Sequence, residues 1–167
     1  VLVTGGSSGI GKAVAHKLAE AGAITVIVAR DEEKLAEAKR EFEADGLELV
    51  AYSADISDYA QCDDFVRQVN EEYGGVDILI NNAGRSIRRP LMESLERWHD
   101  VERTMAINYF APLRLIRGVV PGMIARGDGH VISVASWRVM PESSPLFGVY
   151  NASKAALSAV SRVIESE

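Results

Sequence analysis

Short unbroken apolar runs alternate along the chain with longer stretches in which apolar residues recur every three or four positions. The first pattern belongs to strands buried on both faces, the second to helices with one face against a core. Strands are predicted over residues 1–3, 24–29, 47–53, 76–80 and 130–134. Residues 9–22 predict a helix, with Ile10, Val14, Leu18 and Ala21 at helical spacing and Gly22 as its stop. A second helix begins after Asp31, an N-cap ahead of Glu32 and Glu33, and ends near Gly46. Residues 58–73 predict a third, closed by Gly74 and Gly75. Residues 94–126 predict a long helix bent near Asn108, and residues 147 onward a last one.

Strands that alternate with helices imply parallel strands and right-handed crossovers, hence a doubly wound α/β sheet of Rossmann type. Five strands fall short of the six of a complete sheet of this kind. The chain also opens at Val1, inside a strand and without an initiator Met. Residues 1–167 are therefore expected to be one dinucleotide-binding domain of a longer polypeptide that carries the later strands. The least regular segments, 82–92 and 137–146, both follow strands. Both are expected at the carboxyl edge, where such sheets bind ligands.

Composition narrows the function classes. Hydrophobic residues at 47% and charged residues at 25% are those of an ordinary globular protein. A formal net charge of −6 speaks against general nucleic-acid binding. No apolar run approaches the ~18–20 residues of a membrane span. The longest, near residues 110–125, is interrupted by Arg114, Arg117 and Pro121. Cys62 is the lone cysteine, so no internal disulfide can form, and it reads as an inert helix residue. His16, His99 and His130 have no metal-ligand spacing, and no metal is expected. With no secretory signal visible, the expected setting is reducing and cytoplasmic.

Two patterns carry chemistry. The first strand runs into Thr4-Gly5-Gly6-Ser7-Ser8-Gly9-Ile10-Gly11. Glycines permit a tight turn and close approach to a pyrophosphate, and the following helix offers free N–H groups. The spacing departs from G-x-G-x-x-G and a plain turn is the alternative, but its place after the first strand favours a cofactor loop. The second strand ends Ala29-Arg30. An Arg there accommodates the 2′-phosphate of NADP, whereas an acid would bind the ribose hydroxyl of NAD. NADPH is therefore the expected cofactor, with Arg30 on the phosphate. Asp31 is the competing signal, and helix capping accounts for it.

The second pattern is Tyr150 and Lys154, four residues apart at the start of the last helix and so on one face. A phenol is a weak acid with an unperturbed pKa near ~10. A neighbouring ammonium favours the phenolate, which suits the pair to exchange a proton with a substrate oxygen. An ordinary surface pair is the alternative.

These residues, with Asn81-Asn82-Ala83-Gly84, resemble the short-chain dehydrogenase/reductase family over essentially the whole chain. The resemblance implies that Gly5, Ser7, Ser8, Gly9, Ile10 and Gly11 hold the dinucleotide and that Asp55 contacts its adenine. It implies that Asn82, Ala83 and Gly84 line the cofactor site. Asn108, Ser136, Tyr150 and Lys154 match the catalytic tetrad, with Tyr150 and Lys154 also touching the cofactor. The interval from Ser136 to Tyr150 is one residue longer than the commonest family spacing. Ser133 is the alternative serine, but it lies deeper in its strand, and Ser136 is preferred where the strand ends.

Residues 81–91 and 102–116 are similar to the bacterial short-chain-type fatty acyl-CoA reductases. That resemblance implies NADPH-dependent reduction of a long-chain fatty acyl-CoA to the aldehyde. Tyr150 would be the general acid, Ser136 would orient the carbonyl, and Lys154 would hold the nicotinamide ribose. Asn108 would hold a water linking Lys154 to solvent, or cap backbone groups at the helix bend, or both. A 3-oxoacyl thioester reductase or general ketone reductase would use the same tetrad. A non-catalytic dinucleotide-binding module is the alternative of another class, and the complete tetrad speaks against it. Arg85, Arg88 and Arg89 are expected to attract the phosphates of CoA or another anionic carrier, with a solvated loop as the alternative. By resemblance, the helices around residues 108–126 and after 147 pack against a second subunit. A homo-oligomer acting on a small-molecule substrate is expected.

Overall fold

The structure is a computed structural model and describes residues 1–137 and 145–166. Its elements are β1 (Leu2–Thr4), α1 (Gly9–Glu20), β2 (Val26–Ala29), α2 (Glu32–Ala44), β3 (Val50–Ser53), α3 (Tyr59–Tyr73) and β4 (Ile78–Asn81). Then come α4 (Leu91–Glu96) and α5 (Trp98–Met105), a π-helical turn (Ala106–Phe110), α6 (Ala111–Arg126), β5 (His130–Ser133) and α7 (Gly148–Ser166). The strands are parallel in the order β3-β2-β1-β4-β5. This is the predicted doubly wound sheet. Chain direction across the sheet reverses between β1 and β4, which opens a crevice at their carboxyl ends.

Side chains alternate across each strand, so the apolar runs feed two cores. Leu2, Val26, Val28 and Leu79 pack on one face with α3 and α6, among them Phe65, Val66, Leu115 and Val119. Val3, Ile27 and Ile80 pack on the other with Ala15 of α1 and Leu35, Ala38 and Phe42 of α2. Gly118 lets α6 approach α3 closely, since a Cβ there would collide with Val66.

The helix ends follow local chemistry. Asp31 accepts the Lys34 N–H at 3.1 Å and Asp58 the Gln61 N–H at 3.0 Å, so both are N-caps. Gly22 and Gly74 close α1 and α3 in the left-handed region, at φ +83° and +71°.

Several boundaries differ from the sequence pattern, among them the fourth strand, which starts at Ile78 rather than Val76. β2 starts at Val26, because Ile24 lies in the connection after the α1 turn with 67% of its surface exposed. β3 starts at Val50, because the Leu47 N–H closes the end of α2 on the Phe42 carbonyl at 2.8 Å. The helix expected over residues 94–126 is divided, broken at Arg97 and again, at the expected bend, by the π turn around Asn108. Of the segment 137–146, residues 138–144 lie outside those described.

Candidate active site

The carboxyl ends of β1 and β4 are stitched together by Thr4 and Asn82. The Thr4 hydroxyl accepts the backbone N–H groups of Asn82 at 3.1 Å and Ala83 at 2.9 Å. Asn82 Nδ2 in turn donates to the Thr4 carbonyl at 2.9 Å. This clamp brings the glycine loop against residues 82–84. Gly5, at φ +65°, and Gly11 have no room for a side chain: a Cβ on Gly5 would lie 3.1 Å from Ala83 Cα, and one on Gly11 would overlap the Gly5 carbonyl. Gly9, by contrast, faces open space at φ +53°. Ser8 is the N-cap of α1 but makes no side-chain cap bond, so the first N–H groups of α1 are not capped by its hydroxyl. Ile10, though at helical spacing, is 66% exposed in that first turn.

A cleft of about 560 Å³ runs from this loop across the sheet edge. Gly5, Ser7 and Ser8 line one end, Arg30, Lys34 and Asp55 another, and Asn82, Ala83 and Gly84 the floor. Arg30 is exposed and stands 3.5 Å from Asp55 Oδ2. Partial burial alone would raise the Asp55 carboxyl, but hydrogen bonds from the Ser57 hydroxyl and N–H, with the Arg30 charge, hold it below its ordinary value. Lys34, which the sequence pattern did not single out, pairs with Asp31 at 3.3 Å on the cleft wall. A larger cavity of about 700 Å³ lies along the outer strand β5 and α7, and none of the predicted site residues lines it.

The second cluster forms where the π turn meets α7. Asn108 is fully buried. Its Oδ1 accepts the Arg85 N–H at 2.8 Å, and its Nδ2 donates to the Arg85 carbonyl and to Ser153 Oγ, both at 2.9 Å. Asn108 thus binds the backbone of the loop after β4, 23 residues back, rather than backbone groups of the bend itself. Lys154 is 3% exposed and donates from Nζ to the Val134 carbonyl at 2.7 Å, just beyond β5. Burial pushes its ammonium below the ordinary lysine value. Gly84 stands between the two: a Cβ there would lie 3.2 Å from Asn108 Oδ1 and 3.5 Å from Lys154 Nζ.

Tyr150 is half-buried in the first turn of α7, with Phe147 edge-on at 6.3 Å between ring centroids. Ser136 is half-buried two residues past Val134, outside the strand, and it has an interaction partner. Ser133 ends β5. Its hydroxyl is buried opposite Asn81 in the register, and neither side chain finds a hydrogen-bond partner among the described residues. Ser136 is therefore the serine nearer the open edge.

The three loop arginines separate. The Arg89 guanidinium is paired with buried Asp100, which also accepts Arg97 Nε at 3.0 Å. The Arg89 N–H donates to the carbonyl of Leu146, a residue at φ +71°, at 2.8 Å. Arg89 thus ties the loop to α5 and to the approach to α7. Arg85 and Arg88 have no ion-pair partner among the described residues. Among those residues no His, Cys, Asp or Glu cluster is placed to hold a metal ion, and no helix is long and apolar enough to cross a membrane.

The family model described as short chain dehydrogenase matches residues 1–167. The chain belongs to the short chain dehydrogenase family. This short chain dehydrogenase is 59% identical over 167 residues to a fatty acyl-CoA reductase of Mycobacterium tuberculosis, covering 100% of the chain and 57% of the relative. It is 44% identical over 166 residues to a fatty acyl-CoA reductase of Acinetobacter baylyi, covering 99% of the chain and 56% of the relative. The chain thus spans a little over half the length of these curated relatives. Among solved structures, it is similar to a metagenomic short-chain oxidoreductase in complex with NADP, at TM-score 0.89 and 35% identity, covering 96% of the chain and 72% of that one. It is also similar to a gluconate 5-dehydrogenase from Burkholderia cenocepacia in complex with NADP and tartrate. There the TM-score is 0.83 and the identity 34%, over 95% of this short chain dehydrogenase and 61% of the other chain.

Proposed function

We propose that the complete protein is an NADPH-dependent oxidoreductase that reduces long-chain fatty acyl-CoA to fatty aldehyde. The observation that carries the reading is the buried Lys154 beside Asn108 and Gly84, one turn after Tyr150 and on the sheet edge that holds the glycine-rich cleft. The 59% identity to a protein named a fatty acyl-CoA reductase supports the substrate class.

The residues present fit a dinucleotide. The close approaches at Gly5 and Gly11 and the open face of Gly9 leave a cradle in which backbone N–H groups of α1 can meet a pyrophosphate. Ser7, Ser8, Gly9 and Ile10 would hold that group, with Asp55 at the adenine and Arg30 and Lys34 near the 2′-phosphate. Asn82, Ala83, Gly84, Tyr150 and Lys154 would line the nicotinamide half. When bound, NADPH supplies the hydride.

The chain's own groups handle the oxygen. Ser136 donates a hydrogen bond to the carbonyl oxygen and orients it. Tyr150 gives its phenolic proton to that oxygen as negative charge develops. The Lys154 ammonium stabilises the phenolate left behind. Both Asn108 amide hydrogens are committed, so a water linking Lys154 to solvent would be held by the second lone pair of Oδ1, the atom facing Gly84. A thioester reduced in this way gives a hemithioacetal, which releases CoA and the aldehyde without a cysteine nucleophile. Cys62 could not serve as one, since burial in α3 pushes its thiol up to about 11.

Arg85 and Arg88 remain the cations available to CoA phosphates, and Arg89 does not. The lone buried thiol agrees with a reducing, cytoplasmic setting. Ile124 on α6 and Val163 on α7, at 74% and 51% exposure, support association into a homo-oligomer through those helices. Light scattering would show a dimer or larger species; a monomer would refute it.

The deciding experiment supplies the complete protein with NADPH and either a long-chain acyl-CoA or a 3-oxoacyl thioester, with products identified by mass. Aldehyde with free CoA is the expected outcome. A 3-hydroxyacyl product would instead make it a ketone reductase, and cofactor binding without turnover would make it a binding module. Tyr150→Phe abolishes turnover while NADPH still binds, and a variant that still turns over refutes the assignment of Tyr150.

A further inference from the structure

Ser153 precedes Lys154 and is fully buried. Its Oγ lies 2.9 Å from Asn108 Nδ2 and 2.7 Å from the Tyr150 carbonyl oxygen. An amide nitrogen can only donate and a carbonyl can only accept, so the hydroxyl accepts from Asn108 and gives its own hydrogen to Tyr150. A small hydroxyl does both at once; alanine does neither. The second Asn108 hydrogen goes to the Arg85 carbonyl, and Asn108 Oδ1 takes the Arg85 N–H. A continuous series of hydrogen bonds therefore runs from the loop after β4, through the π turn, to the turn of α7 that carries Tyr150 and Lys154.

We propose that Ser153 is a positioning residue of the reaction, holding Asn108 and the 82–90 loop in register with the Tyr150–Lys154 turn. The inference rests on the reductase reading above. On one side of Ser153, Lys154 is anchored just beyond β5 through the Val134 carbonyl. On the other, Asn108 is anchored to the loop leaving β4. Without the hydroxyl, a fully buried Asn108 N–H loses its acceptor and the amide must turn or shift to find another. Misplacement of reacting groups by about 1 Å costs on the order of a hundredfold in rate. The effect falls mainly on turnover, because the proposed pyrophosphate and 2′-phosphate contacts follow β1 and β2, away from Ser153, and Lys154 keeps its own bond to the Val134 carbonyl.

The test measures acyl-CoA reduction by the complete protein carrying Ser153→Ala or Ser153→Thr, alone and with Asn108→Ala, beside Tyr150→Phe. Ser153→Ala lowers kcat by about tenfold or more, with the NADPH Kd within about twofold of the parent, as expected for an interaction that matters only to the positioned reacting groups. Ser153→Thr, which keeps the hydroxyl, recovers most of the loss. In the Asn108→Ala background the Ser153→Ala effect largely disappears, because the two side chains act as one unit. A Ser153→Ala kcat within about twofold of the parent, or an equal Ser153→Ala penalty in both backgrounds, overturns the proposal. A folded Ser153→Thr protein as slow as Ser153→Ala does the same. Turnover by Tyr150→Phe would refute the reductase reading itself and leave these Ser153 comparisons to be judged separately.

Discussion

Replacing Asn108 by alanine tests whether its carboxamide is a structural latch as well as part of the reaction site. The change removes three hydrogen bonds, at 2.8, 2.9 and 2.9 Å, from a fully buried side chain. Two of the orphaned partners are the N–H and C=O of half-buried Arg85, which water can partly reach. The third, Ser153 Oγ, keeps its own bond to the Tyr150 carbonyl and loses only an incoming donor. At a net value of about 1 kcal/mol each, the loss is about 3 kcal/mol. For a chain of this size a kcal/mol shifts the melting temperature by about 2–4 °C, so Asn108→Ala melts about 6–12 °C lower. Asn108→Asp sharpens the test. Its carboxylate can still accept the Arg85 N–H but cannot donate to the Arg85 carbonyl, so at neutral pH it is no better than alanine. It improves on acidification, because a protonated acid regains one donor. Thermal melts followed by circular dichroism at two pH values decide the matter. If Asn108→Ala melts within about 2 °C of the parent, the latch is wrong and the amide works on solvent alone.

Asp100 sets an acid limit on the loop. Hydrogen bonds from Arg97 and then Arg89 hold its carboxyl down at about 2. Its folded pKa lies below the unfolded value of about 3.9, so its stabilisation is complete above pH ~4 and is lost as pH falls toward 2. Acid melts should show that step, and Asp100→Asn should remove it while destabilising the protein at neutral pH. Cys62 should resist a thiol reagent in the folded protein and react only after denaturation; rapid reaction in the native state would contradict its burial. Replacing both Arg85 and Arg88 by alanine should raise the KM for acyl-CoA more than that for a free aldehyde. Equal effects would assign the pair to the solvated loop.

Local chemistry made much of this fold legible. The unbroken apolar runs specify buried parallel strands because alternate residues must face two different cores. Asp31, Asp58 and the glycines at 22 and 74 mark helix ends because each satisfies a local backbone demand. The four-residue interval between Tyr150 and Lys154 already places both on one helical face. The bend near Asn108 was legible, but its π-helical form and the break at Arg97 were not, because the partners that hold Asn108 inward lie far along the chain. Asn108 finds them 23 residues back at Arg85 and 45 residues ahead at Ser153. Arg89 looked identical to Arg85 and Arg88 until folding set it against Asp100. Ser153 resembled any small helical residue, and Thr4 any strand end, until β1, β4 and α7 met at one edge. Periodicity and capping act over a single turn of chain and can be read along it. A hydrogen-bond partner many residues away exists only once the sheet has closed, so the division of labour among Asn108, Ser153 and the three arginines belongs to the tertiary structure.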